Sequence, residues 1–153
     1  ALCGRVDVKG TFRIMHPDIT AYLHAWKSGD ISPSPANRLI GSHLSYFGDG
    51  WAEVRLDITE NVLNSFGTIQ GGILCSLGDA AMGTAVVTTL DQGETFHTVN
   101  LTSMFCRPAS KGQLRAEARV VHRSRSVASV ECDIFGGDKV VSRQSCTCVI
   151  KKK

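Results

Sequence analysis

The stretch NSFGTIQGGILCSLGDAAMGTAVVTTL, residues 64–90, decides how the rest of the chain is read. It is a glycine-punctuated loop running into a long uncharged helix. Ile73, Leu74, Leu77, Ala80, Ala81, Ala85 and Val86 cover more than one helical face, the pattern of a helix buried on most sides. Gly71, Gly72, Gly78 and Gly83 each cost about 1 kcal/mol against Ala in a helix interior, so close packing against something flat is expected to offset them. From residue 61 to residue 90 the only carboxylate is Asp79, and there is no Lys or Arg. An acid alone in such apolar surroundings is expected to be buried and to have a task.

Outward from this stretch the chain alternates short elements. Residues 18–28, DITAYLHAWKS, put Ile19, Tyr22, Leu23 and Trp26 at helical spacing, with Asp18 as N-cap and Gly29 as stop. The segment GDISPSPAN (29–37) reads as a loop. Residues 38–47 and 51–58 flank Gly48-Asp49-Gly50 and predict a hairpin. Downstream, 96–106, 112–122, 126–135 and 139–150 read as strands, and Leu114, Ala116, Ala118 and Val120 alternate with Arg115, Glu117 and Arg119 as a sheet with one dry face requires. Helix, two strands, central helix and four strands predict an α+β architecture: an antiparallel sheet with its helices on one face.

Composition bounds the function. The 153 residues, 42% of them apolar, suit one domain over 1–153 with one sizeable core. The opening segment 1–17 lacks an initiator methionine and is expected to be a processed, tag-derived or disordered lead-in without a function. No run approaches the roughly 20 apolar residues of a membrane span, and no signal peptide is recognisable, so a soluble cytoplasmic protein is expected. The six cysteines lie mostly inside elements and suit reduced thiols in a reducing compartment. No CxxC pair with distant His is present, which argues against a zinc site. There is likewise no phosphate loop or dinucleotide fingerprint, and the arginines are not interleaved with exposed aromatics as in a nucleic-acid module.

The run Asn64-x-x-Gly67-x-x-Gln70-Gly71-Gly72, then Leu77-Gly78-Asp79-Ala80-Ala81, Thr98-Val99-Asn100-Leu101 and Arg107-Pro108 resembles the hotdog-fold acyl-CoA thioesterases of the 4-hydroxybenzoyl-CoA and phenylacetate-pathway type. The resemblance spans residues 39–150. It implies a long central helix wrapped by an antiparallel sheet of about five to six strands, a homodimer or homotetramer, and hydrolysis of an acyl-CoA thioester without a cofactor. Asp79 is then the general base or nucleophile and the Gly71 N–H the oxyanion donor. Asn64 positions water or the acid, and Thr98 is a lesser hydrogen-bonding partner. Many members carry His where this chain has Gln70, which can orient but cannot titrate. That substitution keeps a non-catalytic acyl-CoA-binding or sensing protein as the alternative.

A helix N-terminus offers unpaired N–H groups and partial positive charge to an oxyanion. Asp79 lies eight residues beyond Gly71, roughly 12 Å along the axis at the α-helical rise, too far to serve the same helix start. Two antiparallel central helices in a twofold dimer bring the acid of one protomer to Gln70 and Gly71 of its partner. Six cations against Glu117 alone between residues 107 and 130 suggest a polyanion site. Arg123, Ser124 and Arg125, with Arg107 and Lys111 behind them, are the candidates for the coenzyme A phosphates, and Gly72 for a further substrate contact.

Overall fold

The computed structural model describes residues 17–31 and 34–152. The expectation for the opening segment falls, apart from Pro17, outside the described residues. Helix α1 (Pro17–Ser28) carries Asp18 in its first turn and Lys27 in its last, complementing the helix dipole, and buries Leu23 and Trp26. A short helix, α2 (Pro35–Ile40), follows where a loop running into a strand is expected. Its ends explain it: the Ser34 side chain accepts from the Asn37 N–H, Pro35 opens the first turn, and Gly41 closes it at φ +76°. Strand β1 (Ser42–Gly48) therefore begins four residues later than the alternation suggests.

A two-residue turn at Asp49 and Gly50 joins β1 to β2 (Trp51–Asp57), and the Gly50 N–H reaches the Thr88 hydroxyl at 2.8 Å, tying the hairpin to the end of the central helix. That helix is α3 (Gly71–Val87). Four long strands complete the chain: β3 (Glu94–Phe105), β4 (Gln113–Arg123), β5 (Val127–Gly136) and β6 (Lys139–Lys152). All pairings are antiparallel and the order is β1-β2-β4-β5-β6-β3, one six-stranded sheet. Among the described residues no helix is long and apolar enough to cross a membrane.

The sheet curls around α3. Ala52, Val54, Leu56, Ala116, Ala118, Ala128, Val130 and Ile134 line its inner face, and the small residues in the middle strands let the helix seat closely. Leu74, Leu77, Ala81, Met82, Ala85 and Val86 meet them and are almost wholly removed from water. The outer face carries the alternate set, laced by pairs such as Arg119–Glu131 and Arg143–Asp133. This is the hotdog arrangement, a helix inside a wrapped antiparallel sheet.

Two glycines in α3 answer to particular neighbours. A Cβ on Gly78 would overlap the side-chain amide of Gln144, and one on Gly83 would press on the Phe96 ring at 3.3 Å. Gln144 is itself buried on β6 and donates from Nε2 to the Leu74 carbonyl at 2.9 Å. Burial of α3 is not complete, however. Gly72, Ser76 and Asp79 form an exposed stripe, so the helix is covered on three sides and the buried carboxylate expected at position 79 is exposed in the protomer. The uncharged surroundings reflect the three covered faces.

Gly78→Ala should gain helix propensity yet lose more by displacing Gln144 from its bond. The expected net destabilisation is about 1–2 kcal/mol, read as a lower urea midpoint at unchanged m-value.

Candidate active site

The approach to α3 is a tightly tied loop. Asn64 Oδ1 accepts from the backbone N–H of Phe66 at 2.9 Å and of Thr68 at 3.2 Å, while Nδ2 donates to Thr68 Oγ1 at 3.0 Å. Gly67 turns the chain at φ +73°, a left-handed conformation open chiefly to glycine, and its N–H closes on the Asn64 carbonyl at 2.9 Å. Asn64 thus spends both carbonyl lone pairs on the loop. The loop is pinned at its far end by Ile69 N–H to Ala109 C=O (2.7 Å) and Gln70 N–H to Val62 C=O (2.9 Å).

Gln70 is the N-cap residue, with extended backbone and a side chain that makes no capping bond. Its carbonyl accepts from Ile73 and Leu74, so the N–H groups of Gly71 and Gly72 are the ones without an intrahelical acceptor. Two clefts flank this point. One, of about 450 Å3, is lined by Asn61, Asn64, Phe66, Gln70 and Ile73. The other, of about 300 Å3, is lined by Ile69, Gly71, Leu74, Phe105, Arg107 and Pro108. The Phe105 ring stands against Gly71 so closely that a Cβ there would lie 3.0 Å from Cζ. A larger depression of about 630 Å3 on the outer sheet face lies away from these groups, and its arginines are paired with Glu131 and Asp133.

Two turns along the same helix, Thr98 Oγ1 of β3 donates to Asp79 Oδ1 at 3.1 Å. Thr98 and Cys148 are cross-strand partners, and their Oγ1 and Sγ are 3.7 Å apart; Cys146 Sγ lies 3.8 Å beyond. Contact with the Cys146 thiol, opposed by burial, brings Cys148 down to about 7. The same contact and burial push Cys146 up. Cys132 is pushed up to about 12, chiefly by burial and then by Asp133 and Glu117.

The cation cluster divides. Arg123 is an interior residue whose guanidinium bonds Glu94 at 2.6 Å, with 14% and 13% of the two side chains exposed, and also reaches the Ser124 carbonyl. Ser124 braces the β4–β5 turn through Val127. Arg107 donates to the Val140 carbonyl at 3.0 Å. Arg125 alone of the three residues at the turn is exposed at the surface. Arg123 is thus tied to Glu94, 29 residues away in sequence, and Ser124 to the turn, which leaves Arg125 as the exposed cation of the three.

The structure brings Gln70, Gly71 and Gly72 together at the helix start and Asp79 with Thr98 farther along, and keeps the two groups apart within one protomer. Phe105 and Cys148 are additions that sequence reasoning did not single out. The signal for Cys148 was partial: Cys146 and Cys148 share a strand face, but only the β3–β6 register shows Thr98 above them.

Residues 66–142, half of the chain, match the thioesterase superfamily. The chain belongs to the thioesterase superfamily. It is a thioester hydrolase by that membership. Among solved structures, it is 32% identical to a conserved protein from Pseudomonas aeruginosa, with a TM-score of 0.75 over 78% of this chain and 95% of that one. A phenylacetic acid degradation-related protein from Ralstonia eutropha is 29% identical, with a TM-score of 0.76 over 84% and 98%. A 1,4-dihydroxy-2-naphthoyl-CoA hydrolase from Listeria monocytogenes is 25% identical over 74% of this chain and 94% of its own. The superfamily match contains the loop from Phe66 onward, α3, Thr98 and Phe105, but begins two residues after Asn64 and ends two residues short of Gln144.

Arg123→Ala leaves the Glu94 carboxylate without its counter-ion, with the Asp91 N–H as its remaining partner, and should cost about 2 kcal/mol in urea unfolding, whereas Arg125→Ala should change stability by less than about 0.5 kcal/mol. Equal effects of the two would contradict the division.

Proposed function

We propose that this thioester hydrolase acts on acyl-CoA, in a homodimer whose two sites each join Gln70 and Gly71 of one protomer to Asp79 of its partner. The observation that carries the reading is the exposed stripe Gly72, Ser76 and Asp79 on an otherwise buried helix. A helix that apolar has reason to meet a second surface. Phe66, 90% exposed beside Gln70, and Phe105, 56% exposed against Gly71, stand at the start of the helix and add apolar area for a second copy to cover. Strand β3 is the open edge of the sheet beside β6, so a second β3 can extend the ladder.

In the joined site the thioester carbonyl oxygen points at the Gly71 N–H, where the helix dipole stabilises the charge it gains. Asp79 of the partner either attacks the carbonyl carbon or takes a proton from the water that does. When Asp79 takes the proton of the attacking water, the new C–O bond forms, the C–S bond breaks, and that proton passes to the departing thiolate. When it attacks directly, the C–S bond breaks as a mixed anhydride forms, and water then hydrolyses the anhydride, restoring the carboxylate and supplying the thiolate's proton. Thr98 holds the carboxylate in direction, Gln70 orients the thioester, and Gly72 offers its bare backbone to the substrate. Asn64 supports the site indirectly, by shaping the loop that delivers Gly71. The acyl group enters the cleft between Phe105 and Leu74, and Arg125, at the rim, meets the nucleotide phosphates. Relatives named for acyl-CoA hydrolysis and phenylacetate breakdown support an acyl-CoA substrate. Five unpaired thiols among the described residues suit the cytoplasm.

Release of free thiol from short, long and aryl acyl-CoAs tests this directly. Asp79→Asn should lower kcat at least about a hundredfold while the protein still sediments as the wild-type oligomer. Retained turnover, or a wild type that binds acyl-CoA without turning it over, would refute the assignment.

A further inference from the structure

We propose that Cys148 is a positioning residue for Asp79, acting through Thr98. This rests on the reading of Asp79 as the reacting acid, and no known role is needed for the thiol itself. The argument begins with hydrogen counting. A carboxylate can only accept, so the single hydroxyl hydrogen of Thr98 is committed to Asp79 Oδ1 at 3.1 Å. Thr98 Oγ1 is then left with lone pairs facing Cys148 Sγ at 3.7 Å, and the thiol hydrogen is the one available to fill that contact. The chain runs S–H to O–H to carboxylate, each donor polarising the next.

The placement is specific to the sheet. Cys148 and Thr98 are paired across β6 and β3, and the extra residue between Thr98 and Asn100 interrupts the ladder immediately afterwards. Cys148 is completely buried, held from behind by Cys146 Sγ at 3.8 Å. Its neighbour on β5, Ala128, brings no polar group, so the groups that face the sulfur are Cys146, Thr98 and, beyond Thr98, Asp79. Without the thiol the Thr98 hydroxyl keeps one anchor, the acid, which on an exposed stripe is itself free to turn. With it, the hydroxyl is fixed from below and the carboxylate is aimed.

The test compares Cys148→Ala and Cys148→Ser, alone and with Thr98→Val, at about pH 6, where Cys148 retains its proton. Both substitutions remove the sulfur, but Ser keeps an O–H donor. Cys148→Ala should lower kcat about tenfold with KM nearly unchanged. Cys148→Ser should recover most of that loss, and Cys148→Ala should cost nothing further once Thr98 is Val. An Ala loss that Ser does not recover, or that persists in the Thr98→Val background, would overturn the proposal in favour of mere packing. The infrared S–H stretch, assigned by its absence in Cys148→Ser, gives a readout independent of turnover. It should move to higher frequency in Thr98→Val as the thiol loses its acceptor, and an unmoved band would overturn the proposal. A wild type without acyl-CoA turnover would count against the function above, and the infrared result would still decide the Cys148 contact.

Discussion

The rest of the site depends on how closely α3 can lie against β6, and that closeness is set where Gly78 meets Gln144. The amide occupies the space a side chain at position 78 would need, and its Nε2 hydrogen bonds the Leu74 carbonyl one helical turn earlier. One contact thereby fixes both depth and rotation of the helix. With Gly78 turned to the sheet, Asp79 is carried to the margin beside Thr98, and the first turn brings Gly71 under Phe105. Four glycines in α3 look like a defect by propensity alone. Three of them meet the sheet's side chains directly, Gly78 at Gln144, Gly83 at Phe96 and Gly71 at Phe105, and Gly72 leaves the helix start bare.

Electrostatics then divides the molecule. Ion pairs lace the outer face of the sheet, and Arg123 is neutralised by Glu94 at its rim, while the length of α3 carries one charge. The positive end of the helix and the acid on its flank are separated by two turns. Neither does much by itself in water: an exposed carboxylate is well solvated, and an exposed N-terminus is satisfied by solvent. A second protomer laid along the stripe would exclude that water and bring unlike charges together, which is where low-dielectric stabilisation of an oxyanion becomes worth several kcal/mol.

Much of this was legible beforehand, for reasons that differ by element. The four C-terminal strands follow their period of two, and α3 follows its apolar faces, because local pattern and tertiary environment agree there. Helix α2 escaped because Ser34, Pro35 and Gly41 act as caps around only six residues, too few for periodicity to register. The exposure of Asp79 escaped because a run of small uncharged residues looks the same whether three or four sides are covered. The Arg123–Glu94 pair and the Thr98–Cys148 contact escaped because each joins distant strands, and strand register is not written in composition. Thr98 was expected from family resemblance as a lesser hydrogen-bonding partner, and the structure gives it Asp79 to bond.

The central claim is that one site takes its acid from one protomer and its N–H donor from the other, and complementation tests it most directly. Asp79→Asn removes the acid. Gly71→Pro removes the N–H at a first helical position, where proline is tolerated and where Gln70 already has the extended backbone proline prefers before it. Each variant alone should be nearly inactive. Refolded together in equal amounts, half of the dimers are mixed and each has one intact site, so activity should return to about a quarter of wild type. A mixture as inactive as its parents, although shown to contain mixed dimers, would contradict a site shared between protomers.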